Sequence, residues 1–106
     1  MLQTIKKVLG FGPKADYGTL IKKGAVIIDV RTKGEYLGGH IKGAVNIPLD
    51  HLKSHLSKLE KDKPVITCCA SGMRSGSARN ILLSKGFTEV YNGGGWMSLQ
   101  NKIMQL

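Results

Sequence analysis

The chain has 106 residues, 42% of them hydrophobic and 22% charged, which suits one globular domain and excludes both a disordered chain and two separately folding units. Sixteen Lys and Arg against seven Asp and Glu give a formal charge of +9, but the lysines are dispersed and no basic run is interleaved with aromatics. The expected partner is therefore a small anion rather than nucleic acid, and no stretch reaches the roughly 20 consecutive apolar residues of a membrane span.

Residues 1–15 carry Lys6 and Lys7 but no apolar core or small-residue cleavage site after them, so they read as an N-terminal extension of uncertain structure. The expected compartment is the cytoplasm, with the periplasm as the alternative if a leader has been removed. Asp16 is placed to cap a short helix, "YGTLIKKG", closed by Gly24. "AVIIDV", Ala25 to Val30, is an apolar run of strand length, of the kind buried on both faces. "AVNI" (Ala44 to Ile47) predicts a second strand, and "DHLKSHLSKLEK" a helix with Leu52, Leu56 and Leu59 on one face. "VITCC" (Val65 to Cys69) predicts a third strand, followed by a helical "SGSARNILLSKG" that buries Ala78, Ile81 and Leu82 and stops at Gly86. "EVY" (Glu89 to Tyr91) is a fourth short strand, and "WMSLQNKIMQL" sets Trp96, Leu99, Ile103 and Leu106 at helical spacing. Strands alternating with helices predict one α/β domain over residues 16–106, an open and mainly parallel sheet with helices on both faces. Ligands of such sheets bind outside the carboxyl ends of the strands, where Cys69 falls.

The turn after that strand, Cys69 to Arg74, reads "CASGMR". Ala70, Ser71 and Gly72 are small enough for their amides to point at one centre, and the following helix N-terminus and Arg74 add positive potential. Such a cradle favours a thiolate at Cys69 and binds an anion above it. Cys68 points to the other side of the strand and reads as a small buried hydrophobe. Two cysteines and three scattered histidines offer no metal-ligand spacing, so no metal is expected. Asp29 ends a strand on the same side as Cys69 and reads as bonding loop backbone or pairing with Arg31; Glu35 is a second candidate partner for Arg31. His40 reads as a hydrogen-bonder in its turn, His51 and His55 as helix surface, and Arg79 as a solvated helix residue.

These residues resemble the rhodanese homology domain. "CASGMRSG" is similar to that family's active-site loop, C-x-x-G-x-R-S, and "IIDVRTKGEYLGGHIKGAVNIPL" to its upstream signature; "VYNGGGW" is similar to its C-terminal strand ending in two glycines. The resemblance implies a five-stranded parallel sheet and a sulfurtransferase. Cys69 would attack the outer sulfur of thiosulfate, release sulfite and pass the sulfur to cyanide or a thiol. Amides of Ala70, Ser71, Gly72, Met73 and Arg74 would stabilise the persulfide, Arg74 would orient the anion, and Ser75 would cap the helix, with Asp29 and Arg31 as supporting residues. No metal or organic cofactor is implied. Phosphatases of related fold use a C-x5-R loop wide enough for phosphate, whereas Cys69 to Arg74 is C-x4-R, which suits a sulfur atom. The competing class is a relay module that takes persulfide sulfur from one protein and gives it to another protein's thiol.

Overall fold

The computed structural model describes residues 16–105, so the expected N-terminal extension and Leu106 of the last apolar stripe lie outside the described residues. In chain order the elements are α1 (Tyr17–Lys22), β1 (Val26–Asp29), α2 (Lys33–Leu37), β2 (Val45–Asn46), a helical run in which α3 (Leu52–His55) is flanked by 3-10 turns at Leu49–His51 and Leu56–Lys58, β3 (Val65–Cys69), α4 (Met73–Ser84), β4 (Val90–Gly95) and α5 (Trp96–Met104). The strands form one sheet in the order β2-β1-β3-β4, every neighbouring pair parallel. Four strands stand among the described residues where the resemblance implied five.

Alternation along the strands sorts the core onto two faces. Ile28, Val30, Val65 and Cys69 join Leu52, Leu56, Ala78, Leu82, Phe87 and Val90 on one side. Ile66 and Cys68 join Leu20, Ile41, Ala44 and Leu99 on the other, with Ile27, Tyr36, Trp96 and Ile103 packed against them. β3, fully buried along its length, is the residue-by-residue seam between the two cores. Asp16 caps α1 by accepting from the Thr19 amide, as its position before the helix predicts. Thr32 and Glu35 close a capping box around α2. Among the described residues no helix is long and apolar enough to cross a membrane.

β1 leads outward to β2 on one side, and β3 leads to β4 on the other, so the sheet's winding reverses between β1 and β3. The carboxyl ends of these two strands therefore open on a crevice with no connection laid across it. Asp29 ends β1 and Cys69 ends β3.

Candidate active site

β3 carries Cys69 to the end of the sheet with the residue only 1% exposed. The chain then turns in three residues, Ala70 to Gly72, because Gly72 adopts φ +108° and α4 starts at once with Met73. A side chain at that angle is strained, so the abrupt entry into α4 depends on glycine. This shortens the loop expected from the sequence. Ser75 is not the helix cap; Gly72 holds that position, and Ser75 is the third residue of α4, its side chain fully buried and turned toward the cysteine.

The first turn of α4 thus wraps the sulfur. The Gly72 amide donates to Cys69 Sγ at 2.9 Å, and the thiol faces Ser75 Oγ at 3.4 Å. Burial pushes the Cys69 thiol up, but hydrogen bonds from the Ser75 hydroxyl and from the amides of Ser75, Gly72 and Ser71 outweigh it and hold the thiol below its usual range. Cys68 has the opposite fate. Burial, with the Asp29 carboxylate nearby, pushes its thiol up to about 12. β4 completes the enclosure: Gly95 pairs with Cys69, and a Cβ there would fall 3.0 Å from the Ala70 carbonyl, so the third glycine of "NGGG" permits this approach.

Arg74 is brought to the mouth, but its guanidinium is occupied. Nη1 and Nη2 donate to the two Glu35 carboxylate oxygens at 2.8 and 3.0 Å. Arg74 accordingly holds the Glu35 carboxyl down at about 2. Glu35 is therefore the partner of Arg74, not of Arg31; Arg31 reaches only the Glu35 backbone carbonyl, at 3.3 Å. Arg31 instead clasps Asp29, with Nε and Nη2 within 3.0 Å of its carboxylate, donates to Gly39 O at 2.7 Å, and lies 4.8 Å from the centre of the Trp96 ring. Both residues of this pair are buried, and the pair braces the chain leaving β1 against α5. Asn46 ties β2 to the same place by donating to the Asp29 and Arg31 carbonyls. Asp29 and Arg31 are structural partners of each other at the end of β1, with no hydrogen bond to the sulfur. Of the loop side chains, Ala70, Ser71 and Met73 face solvent, Met73 at 82% exposure.

His40 bonds the Tyr36 carbonyl and stacks on its ring at 3.7 Å. Arg79 is half-buried, donates through Nε to the Val90 carbonyl and fastens α4 to β4, a structural tie that the expectation of a solvated helix residue did not include. The residue that sequence reasoning missed is Asn92. Its Oδ1 accepts from Ser75 Oγ at 2.6 Å and from the Gly94 amide at 2.9 Å, while its Nδ2 donates to Gly72 O at 3.3 Å. The available signal was its position before three glycines, which marks a segment where backbones approach closely.

Comparison with known proteins agrees with this geometry. The family model described as Rhodanese-like domain matches residues 14–102. The uncharacterized protein YqhL of Bacillus subtilis is 46% identical over 80 residues, 74% of this chain and 64% of that protein, so the match spans somewhat less than two thirds of the relative's length. The thiosulfate sulfurtransferase GlpE of Pseudomonas fluorescens is 36% identical over 76% of this chain and 73% of its own. The solved structure of a rhodanese with anions from E. coli superposes with a TM-score of 0.66 at 37% identity, covering 70% of this chain and 89% of that one. A parallel α/β sheet, a cysteine wrapped by the first turn of a helix at the winding reversal, and a family match over nearly all the described residues lead to one conclusion: the chain belongs to the rhodanese-like sulfurtransferase family.

Proposed function

We propose that the protein moves sulfane sulfur through a persulfide on Cys69, with thiosulfate as donor and a thiol or cyanide as acceptor. The Cys69 thiolate attacks the outer sulfur of thiosulfate; the S–S bond of the donor breaks, a new S–S bond forms on Cys69, and sulfite leaves with the bonding pair. The acceptor then attacks the outer persulfide sulfur and regenerates the thiolate. The observation that carries this reading is the convergence of the Ser71, Gly72 and Ser75 amides on a single sulfur, with the Ser75 hydroxyl in reach of it, which stabilises negative charge at that point.

The amides of Ser71, Gly72 and Ser75 supply the cradle, in place of the whole run Ala70 to Arg74, and no other reacting group is required of the protein. Asp29 and Arg31 support it by fixing the end of β1. Arg74 acts chiefly by holding α4 against α2, since Glu35 takes both arms of its guanidinium. We place the reaction in the cytoplasm, where two unpaired thiols stay reduced, and assign it to residues 16–106, with residues 1–15 as an extension.

The second reading, transfer between protein partners, is favoured by one observation. The loop offers a dianionic donor no unpaired guanidinium, while Met73 stands 82% exposed beside it as an adaptable apolar contact. Intact mass spectrometry after incubation with thiosulfate separates the two. A gain of about 32 Da on Cys69, removed by cyanide and absent in Cys69→Ser, is the expected result. Loading by a protein persulfide but not by thiosulfate selects the relay, and loading by neither overturns both.

A further inference from the structure

The hydrogen bonds around Ser75 compete for one proton. Ser75 Oγ has a single hydrogen and three acceptors in reach: Asn92 Oδ1 at 2.6 Å, Gly72 O at 3.1 Å and, when Cys69 is ionised, its sulfur at 3.4 Å. The orientation of the Asn92 amide is fixed independently of Ser75. The Gly94 amide can only donate, and it meets Asn92 Oδ1 at 2.9 Å; the Gly72 carbonyl can only accept, and it meets Nδ2 at 3.3 Å. A flipped amide would face donor to donor and acceptor to acceptor, so an oxygen confronts Ser75. The Ser75 proton is thereby drawn to Asn92, at the shortest of the three distances, which leaves a lone pair facing Cys69 and makes Ser75 the acceptor of the thiol hydrogen.

We propose that Asn92 is a positioning residue that holds the Ser75 hydroxyl away from Cys69, keeping the sulfur as a thiol until the hydroxyl turns from Asn92 to the sulfur. The idea rests on the reading of Cys69 as the sulfur-carrying nucleophile. Protonated, the chain runs Cys69 Sγ–H to Ser75 Oγ–H to Asn92 Oδ1. Ionised, the hydroxyl points at the sulfur and Asn92 Oδ1 keeps the Gly94 amide. The rotation moves one hydrogen and no heavy atom. It also links the reactive sulfur on β3 to the glycine turn of β4, so whatever displaces that turn changes the ionisation of Cys69. Gly76 makes room for the device: a Cβ there would lie 3.2 Å from Asn92 Nδ2. Asn92 itself is solvent-exposed, so its replacement leaves the core intact.

The test is a pH titration of thiolate ultraviolet absorbance, with Cys69→Ser as the blank; Cys68, pushed up to about 12, stays silent over the range. Asn92→Leu releases the hydroxyl to the sulfur and should lower the Cys69 midpoint by roughly one unit, the size of a charge-assisted hydrogen bond partly offset by the reorientation. Ser75→Ala should raise it by a similar amount. The double variant should titrate like Ser75→Ala alone, because the proposed route from Asn92 to the sulfur runs through the Ser75 hydroxyl. Asn92→Ala likewise removes the acceptor without adding a charge, so its midpoint should also fall, and it carries the test if Asn92→Leu does not fold. An unchanged or raised midpoint in the variant that folds, or a downward shift that persists without the Ser75 hydroxyl, overturns the proposal. Failure of wild-type protein to take sulfur from any donor overturns the proposed function instead, and the titrations still report on Asn92.

Discussion

Cys68 and Cys69 share a strand, a burial class and a side-chain type, and differ in what surrounds each sulfur. Cys68 meets apolar side chains and the Asp29 carboxylate; Cys69 meets amides and a hydroxyl. Replacement should separate them cleanly. Cys69→Ser is expected to fold and to lose all sulfur transfer, whereas Cys68→Ser should retain transfer and lose about 1–3 kcal/mol of stability for burying a hydroxyl among apolar neighbours. Urea unfolding and a thiosulfate assay on the same preparations check both. The close cover over Cys69, which leaves it 1% exposed, also sets a size rule. Iodoacetamide should modify native Cys69 much faster than a bulky aromatic disulfide does, and the difference should vanish in denaturant. The contrast between the two cysteines was legible in the sequence, because alternation along a strand and the small residues after Cys69 are local facts. Asn92 was not, since its partners Ser75 and Gly72 lie 17 and 20 positions away and no local pattern reports them.

At the scale of elements, the Glu35 to Arg74 bridge joins α2 to the first turn of α4 across 39 positions of sequence. The carboxyl is held at about 2, against an ordinary value of 4.5. A depressed carboxyl contributes stability that is whole above its unfolded value and is lost as pH falls through its folded value. Wild-type urea midpoints should therefore decline between about pH 4.5 and about pH 2, and Glu35→Gln should flatten that part of the profile. Since the pair works by position, Arg74→Ala and Glu35→Gln should reduce sulfur transfer in parallel, with thiosulfate and with an uncharged persulfide donor alike. A selective loss with thiosulfate in Arg74→Ala would instead assign the guanidinium to substrate charge. The strands and the capped start of α1 could be read from sequence because apolar runs and caps are local. The start of α4 could not, because Ser75 has the chemistry of a cap and yields to Gly72 only through that residue's left-handed backbone. The helix expected over residues 50–61 is instead a broken run, in which α3 is one turn between 3-10 segments that still buries Leu52 and Leu56.

Across the whole molecule, the winding reversal between β1 and β3 places the reactive end of the sheet where a substrate can reach it, and the formal charge of +9 favours approach of an anionic donor over a neutral one. Turnover of thiosulfate under kcat/KM conditions should fall several-fold as ionic strength rises, and turnover of a neutral donor should barely change. Fold class followed from the alternation of strand and helix patterns, and the pairing of Arg31 with Asp29 from their closeness in sequence, while the assignment of Glu35 to Arg74, 39 positions away, needed the three-dimensional course of the chain. The division of the interior into two cores by β3 has one more effect. A persulfide is usually vulnerable to a neighbouring thiol, which can attack the inner sulfur, expel hydrogen sulfide and leave a disulfide behind. Here the adjacent thiol lies on the opposite face of a fully buried strand and stays protonated up to about 12. A sulfur carried on Cys69, as proposed, would have no internal thiol to escape to and would wait for an acceptor from outside.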